Sequence, residues 1–219
     1  MRVTGVDACR GGWVAVSLDG TGPAAVRGHE TLAGLLGEDT AAVTGIDMPL
    51  GLLEAGWREA DLAARARLGP RRSSVFAIPP RAVWEQASYP AALQRCRVLT
   101  GQGFSIQAWG LRAKLLEADR YRQAGGHPLC EVHPELAFSA MAGAPLAHSK
   151  HTEAGRDQRR MLLSQAGVIL PALRRAPVTD TLDAAAVAWS ARRIADGQAM
   201  VIPGQPQQDE RGREIAIRY

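Results

Sequence analysis

Lysine is almost missing from this chain: of 26 basic residues only Lys114 and Lys150 are lysines. The rest are arginines, whose planar fork grips a phosphate or carboxylate through two hydrogen bonds where an ammonium offers a point charge. GC-rich coding produces the same enrichment, so the bias by itself names no ligand. Cysteine is also sparse. Cys9, Cys96 and Cys130 are odd in number, widely spaced and never in a CxxC pair. That argues against a disulfide framework or a zinc knuckle and predicts reduced, mostly buried thiols. No apolar run reaches the ~18 residues that suggest a membrane span, and the first residues lack a basic region leading into an apolar one. A cytoplasmic protein with no membrane partner is expected. The CRGGW turn holds neither a Walker loop nor GxGxxG, so a nucleotide cradle of that kind is unsupported. Internal repeats and low-complexity tracts are absent as well.

What is present is enough apolar material, 46% of 219 residues, to bury a core as one domain spanning 1–219. The net charge of +4 is too small to imply a polyanionic partner, but it is unevenly placed. Residues 54–125 hold 12 Arg or Lys against 6 Asp or Glu. The basic charge is local to that segment.

Residues 2–7 and 12–18 are short β-prone runs separated by CRGG, whose glycines permit a tight reversal, so a hairpin is predicted. A third strand is expected at 24–28, a short helix at 31–36, and a fourth strand at 42–47 ended by Met48-Pro49. From 54 to 68, Leu53, Trp57, Ala60, Ala64 and Leu68 are spaced for one helical face, which Gly69-Pro70 closes. GPRRSSVFAIPPR then reads as an ordered loop rather than a regular element. Helices are expected at 90–99 and 105–123, giving a mainly helical insertion over about 54–125. A fifth strand at 128–133 precedes helices at 134–141, 152–166 with a threonine cap, and 182–196 stopped by Gly197. The polar stretch 205–213 is expected to be loosely held, with Ile215 and Ile217 able to add an edge strand. The fold class is therefore α/β, a sheet beginning βββαβ and flanked by helices.

Three acidic residues stand where strands end or a helix begins. Asp7 closes the run in MRVTGVD, Asp47 closes AAVTGID, and Asp183 follows Asp180 at helical spacing in TDTLDAAAVAW. Two-metal phosphoryl transfer needs several carboxylates sharing cations about 3.5–4 Å apart, and hard oxygen ligands suit Mg²⁺ or Mn²⁺. If the first and fourth strands are neighbours, Asp7 and Asp47 reach one sheet edge. A lone Asp there also serves as an Asx-turn or N-cap, and the helix dipole favours acid at Asp180 and Asp183 with or without metal. The combination favours a metal site, with Asp183 preferred over Asp180.

A second constellation is CEVHPEL. In a strand Glu131 and His133 point to one face, so Glu131 can add a ligand and His133 can carry a proton or donate to phosphate; the competing readings are an ion pair of this constellation with a nearby arginine and, for His133, a satisfied structural role. Glu135, just past Pro134, reads as support for a helix start. Arg71, Arg72, Ser73 and Ser74 concentrate donors on one loop, joined by Arg81, fit either for an anion or for pinning the loop to acidic neighbours. Lys150 with Ser149, Thr152 and Arg156 either positions a substrate phosphate or forms an exposed loop and helix start. Phe76, Trp84, Tyr89, Phe104 and Trp109 either stack on bases or pack the core. Trp13 and Trp189 are expected to pack the sheet against the last helix.

The segments GVDACRGGWVAV, TGIDMPLGL, LGPRRSSVFAIPPR, CEVHPELAF, SKHTEAGRDQR and TLDAAAVAW resemble the motifs of an uncharacterised domain family, domain of unknown function 429, whose members are predicted nucleases. The resemblance spans nearly the whole chain and implies a ribonuclease H-like fold. The opening and closing segments are similar, more distantly, to RuvC-type resolvases, which bind metal through an acid on the first strand, one after the fourth, and a closing DxxDA motif. Asp7, Asp47, Asp180 and Asp183 take those positions here, with Asp47 standing where the resolvases usually have Glu.

The expected function is Mg²⁺- or Mn²⁺-dependent phosphodiester hydrolysis of DNA or RNA. Asp7, Asp47 and Asp183 are the expected ligands, Asp180 or Glu131 assists, and Arg71 to Ser74 grips the backbone. Two alternatives stay open: a non-catalytic module binding nucleic acid or protein around one structural cation, and a metal-dependent hydrolase of a small phosphorylated metabolite.

Overall fold

Side chains alternate across a strand, and in the first strand, β1 (Arg2–Cys9), that alternation sorts the chemistry. Val3, Gly5 and Asp7 share one face; Thr4, Val6 and Ala8 share the other. In the computed structural model, which describes residues 1–173 and 177–219, β1 pairs antiparallel with β2 (Gly12–Asp19), which pairs antiparallel with β3 (Ala25–His29). After α1 (Leu32–Leu36), capped by Thr31, the chain enters β4 (Val43–Asp47), which lies parallel to β1 with Gly5 opposite Gly45 and Asp7 opposite Asp47. A short β5 (Leu129–Glu131) joins β4 in parallel, giving a five-stranded mixed sheet in the order β3-β2-β1-β4-β5.

Between β4 and β5 the described chain is helical: α2 (Glu59–Leu68), a 3₁₀ turn (Gly69–Ser74), α3 (Arg81–Trp84), α4 (Tyr89–Thr100), α5 (Ile106–Trp109) and α6 (Arg112–Gln123). Three expectations need correction here. The first helix begins at Glu59 rather than 54, because Gly51 and Gly56 take positive φ and turn the chain, sending Trp57 to a different cluster from Ala60, Ala64 and Leu68. The GPRRSS loop is a 3₁₀ turn. The helix predicted over 105–123 is broken into α5 and α6 at Gly110.

Beyond β5 come α7 (Pro134–Ala142), α8 (Glu153–Gln165) and α9 (Val178–Ala195). Strand β5 is shorter than expected, and His133 is the N-cap residue of α7 rather than part of a strand. The tail is not loose. Strands β6 (Val201–Gln208) and β7 (Glu214–Arg218) form a separate antiparallel pair rather than an edge of the main sheet. Asp209 organises their loop by accepting from the Arg211 and Arg213 amides at 3.0 Å and from Arg213 Nε at 2.8 Å. Ile215 and Ile217 are buried against α2.

Helix α9 covers the Gly5 face of β1, β4 and β2 and buries every residue from Thr181 to Ala188, Ala184 and Ala188 among them. Small side chains on both partners allow the close approach. A Cβ on Gly5 would fall within 3 Å of the α9 backbone at Ala184 and Ala188, and one on Gly45 would meet Val187 Cγ1 at 2.8 Å. On the opposite face, Val6, Ala15 and Ile46 pack with α1 and the helices that follow β4. Val6 and Ile46 are completely buried, each contributing roughly 1.5–3 kcal/mol. Trp13 belongs to this opposite layer, not to the α9 side where it was expected, with the Lys114 ammonium 4.7 Å from its ring. Trp189 does pack with the α9 layer. The three cysteines are free; Cys96 is buried, Cys9 and Cys130 half-buried. No helix among the described residues is long and apolar enough to cross a membrane.

Candidate metal centre

The register decides where the acids meet. Because Asp7 and Asp47 are direct partners on parallel strands, their side chains leave the sheet on the same face and at the same edge. That face is the one α9 covers. Asp183 lies one helical turn before Val187, the residue seated on Gly45, so the close helix–sheet contact carries its carboxylate to the other two. One oxygen from each of Asp7, Asp47 and Asp183 lies within 4.8 Å of the others. Asp7 and Asp183 are buried, Asp47 half-buried.

Three carboxylates this close cannot all be charged without a compensating cation. Burial, then the charges of Asp47 and Asp183, push Asp7 well above the usual carboxylate range. Burial and Asp183 push Asp47 up to about 7. Burial raises Asp183 as well, against the lowering effect of Lys150, whose Nζ donates to Asp183 Oδ2 at 2.6 Å. Asp183 Oδ1 is buried with no hydrogen-bond partner among the described residues. Three carboxylates with oxygens within 4.8 Å of one another, one of them carrying a buried oxygen left unpartnered among the described residues, are a fit donor set, and the triad can hold a divalent cation.

The triad lines a pocket of about 510 Å³ whose wall also includes Asp180, Glu131, His133, Arg71, Ser73, Ser74 and Lys150. Most of the residues singled out in the sequence therefore converge, but their partners change several roles. Glu131 is committed elsewhere: it pairs with the fully buried Arg58 and accepts from the Leu50 amide at 2.7 Å, which fixes the loop after β4. It is not one of the three converging carboxylates. Asp180 is half-buried at the pocket wall, one turn before Asp183 and outside the triad. The ion pair expected of this segment is therefore Glu131's, whereas His133 is half satisfied: its Nε2 lies 3.2 Å from Ser74 O, and its Nδ1 is buried without a partner among the described residues. Burial holds its pKa below the ordinary histidine value.

The arginine-rich loop divides. Arg71 reaches the pocket but donates from Nε and Nη2 to the carbonyls of Leu146 and Ala147, both at 2.7 Å, pinning the loop that carries Lys150. Arg72 lies in a separate shallow depression with Arg65 and Gly69. Arg81 does not join them; it forks onto Asp119 and also meets Glu210. Much of the local positive charge is internal, since Arg58, Arg65, Arg112 and Arg122 also hold protein partners. The aromatic residues divide too. Trp84, Tyr89, Phe104 and Trp109 pack on one another, Trp84 and Trp109 stacked at 6.1 Å, while Phe76 packs against the same core cluster without a ring pair among the described residues and lines the pocket wall.

The ion pair between Glu135 and Arg159 was not foreseen. Arg159 is fully buried, and Glu135 lies in the pocket wall near Asp183. The readable signal was a charged residue on the buried face of α8, beside Leu162 and Leu163.

Fold and site together define an α/β protein in which a mixed sheet and its covering helix present a buried tri-carboxylate centre. Residues 5–208 match the family described as "Protein of unknown function (DUF429)", and the chain belongs to that family. No curated protein matches it.

Proposed function

We propose that the protein is a Mg²⁺- or Mn²⁺-dependent phosphodiesterase of ribonuclease H-like fold that hydrolyses nucleic acid, DNA or RNA. The observation that carries the reading is the convergence of Asp7, Asp47 and Asp183 within 4.8 Å at the wall of a pocket that also holds basic and hydroxyl groups. The sheet order and the helix crossing β1 are compatible with that fold.

Asp7, Asp47 and Asp183 would hold the metal, which supplies Lewis-acid polarisation of a phosphoryl oxygen and activation of water. The chain's own groups do the rest. Ser73 and Lys150 bind phosphate oxygens, Lys150 exchanging Asp183 for the substrate. Arg71 keeps the Lys150 loop in place through its two carbonyl contacts. His133, donating Nε2–H to Ser74 O, retains Nδ1 as a proton acceptor that is neutral near pH 7. Asp180 adds negative potential at the rim, and Glu131 acts through Arg58 by holding the β4 loop.

The pocket volume supports a second reading. About 510 Å³ is the size of a small-molecule site, which favours a small phosphorylated metabolite over a long duplex.

Cleavage of labelled DNA and RNA oligonucleotides in Mn²⁺ tests the main reading. Asp7→Asn should fold and be inactive; an active Asp7→Asn protein overturns the assignment. Phosphate release from mononucleotides without oligonucleotide cleavage would select the second reading.

A further inference from the structure

A second cavity, about 430 Å³, adjoins the metal pocket, and the two share a wall residue, Phe76. Its lining is aromatic and weakly polar: Trp57, Phe76 and Phe104 supply rings, and Arg65, Gln102 and Ser105 supply polar groups. It carries no carboxylate, so it is not a second metal site.

The dividing wall is held at both ends. Arg65 Nη1 donates to Val75 O at 2.6 Å, and the Ile78 amide donates to Asp61 Oδ2 at 2.8 Å. Asp61 is in turn buried beside Arg58, 3.4 Å from its Nη1. Phe76 is therefore presented between two clamped backbone positions, and a preorganised ring loses little freedom on meeting a ligand. Of the three lining rings, Phe104 also packs edge-on against Trp84 and Tyr89, whereas Phe76 and Trp57 make no such ring pairs among the described residues. Trp57 keeps a buried Nε1–H with no acceptor among the described residues, and the Gln102 side chain is exposed. A planar, heteroatom-bearing ring matches these features: it stacks on an aromatic face and offers acceptors to an indole N–H and a primary amide.

We propose that this cavity is a nucleobase subsite, holding the base of a nucleotide whose phosphate lies at the Asp7, Asp47 and Asp183 centre. The inference rests on the phosphodiesterase reading for where the phosphate sits, but the base site itself does not require metal. It makes the substrate class a nucleotide or a flexible single strand rather than a bare sugar phosphate.

Calorimetric titration of the full chain with adenosine, adenosine monophosphate and ribose 5-phosphate tests it, with Ca²⁺ present and in parallel with an Mn²⁺ titration. Stacking of one base predicts that the monophosphate binds about tenfold or more tightly than ribose 5-phosphate. Adenosine should bind wild type and Asp7→Asn alike. Phe76→Leu keeps apolar bulk but removes the flat face, and should weaken adenosine monophosphate far more than ribose 5-phosphate, abolishing the preference for the base-bearing ligand. Gln102→Ala, at an exposed position, should weaken adenosine several-fold without affecting the melting temperature. Equal affinity for the two phosphates, or equal losses for both in Phe76→Leu, overturns the subsite and leaves the metal reading standing. Adenosine binding with no Mn²⁺ binding supports the subsite and removes the metal reading instead.

Discussion

Lys150 Nζ stands 2.6 Å from Asp183 Oδ2, so the chain places its own ammonium among the carboxylates that can hold a cation. Burial disfavours the charged lysine, yet Asp183, and then Asp47 and Asp7, hold its pKa above the ordinary value. Side chain and metal ion answer the same electrostatic need. Whether they compete is decided by removing one of them.

Lys150→Met is expected to tighten Mn²⁺ binding about tenfold, or about 1.4 kcal/mol, because the carboxylates lose their internal counter-charge. The same variant should lose activity if the released ammonium serves substrate phosphate. Calorimetry on the variant gives the first answer directly; weaker metal binding would mean that Lys150 orders Asp183 for the ion rather than standing in for it.

The pH dependence follows from the raised carboxylates. A group whose folded pKa exceeds its unfolded value adds stability that is complete below the unfolded pKa and is lost as pH rises through the folded one. For the triad that window runs from the ordinary 3.8 upward, through about 7 at Asp47. Metal-free protein should therefore lose the Asp47 share of this contribution between about pH 4 and pH 7, and Mn²⁺ should raise the melting temperature much more at about pH 8 than at about pH 5. Melting curves with chelator and with Mn²⁺ check this. Asp7→Asn should flatten the chelator curve and erase most of the metal effect.

How much of this was legible in the chain depended on distance. Asp7 and Asp47 end apolar runs, and strand alternation places each on a face, so their candidacy is local information. Asp180 and Asp183 announce a helix start in the same way. Partnerships across many residues are not local. Glu131 and Arg58 are separated by 73 positions, and nothing in CEVH says that the acid is already paired. Lys150 and Asp183 are 33 apart, on a loop and a helix whose meeting depends on packing. The basic insertion misled for a related reason. A charge count cannot distinguish an arginine facing solvent from one donating to a carbonyl, as Arg71 and Arg112 do. Likewise Asp209 turns the polar tail into an ordered hairpin through bonds that composition does not reveal.

Glu131 and Arg58 offer a test of ligand against scaffold. Arg58 is fully buried between Glu131 and Asp61, and removing one partner of a buried ion pair typically costs about 3–5 kcal/mol. Arg58→Met should lose stability on that scale in urea unfolding. Glu131→Gln still offers an oxygen to the Leu50 amide and should cost about 2 kcal/mol, with Mn²⁺ affinity within about twofold of wild type. A folded Glu131→Gln protein that fails to bind Mn²⁺ would return Glu131 to the ligand set.

Gly5 and Gly45 are register partners, yet their substitution by alanine should differ, and the difference probes how the centre is assembled. At Gly5 the new methyl meets α9 backbone at Ala184 and Ala188, which cannot turn aside, so the helix itself must move. At Gly45 the nearest atom is a side-chain methyl of Val187 at 2.8 Å, with Val132 Cγ2 and Val187 O at 3.2 Å, so the overlap is smaller and a slight local shift relieves it. Gly5→Ala should therefore cost about 3 kcal/mol, and Gly45→Ala about 1–2 kcal/mol, the range expected for overpacking. The sharper expectation concerns metal. Asp183 rides on α9, whereas Asp7 and Asp47 are fixed by the β1–β4 register. Lifting the helix separates one carboxylate from the other two. Folded Gly5→Ala protein should bind Mn²⁺ at least tenfold more weakly than Gly45→Ala; equal affinities in the two variants would show that the centre does not depend on the close seating of α9 on β1.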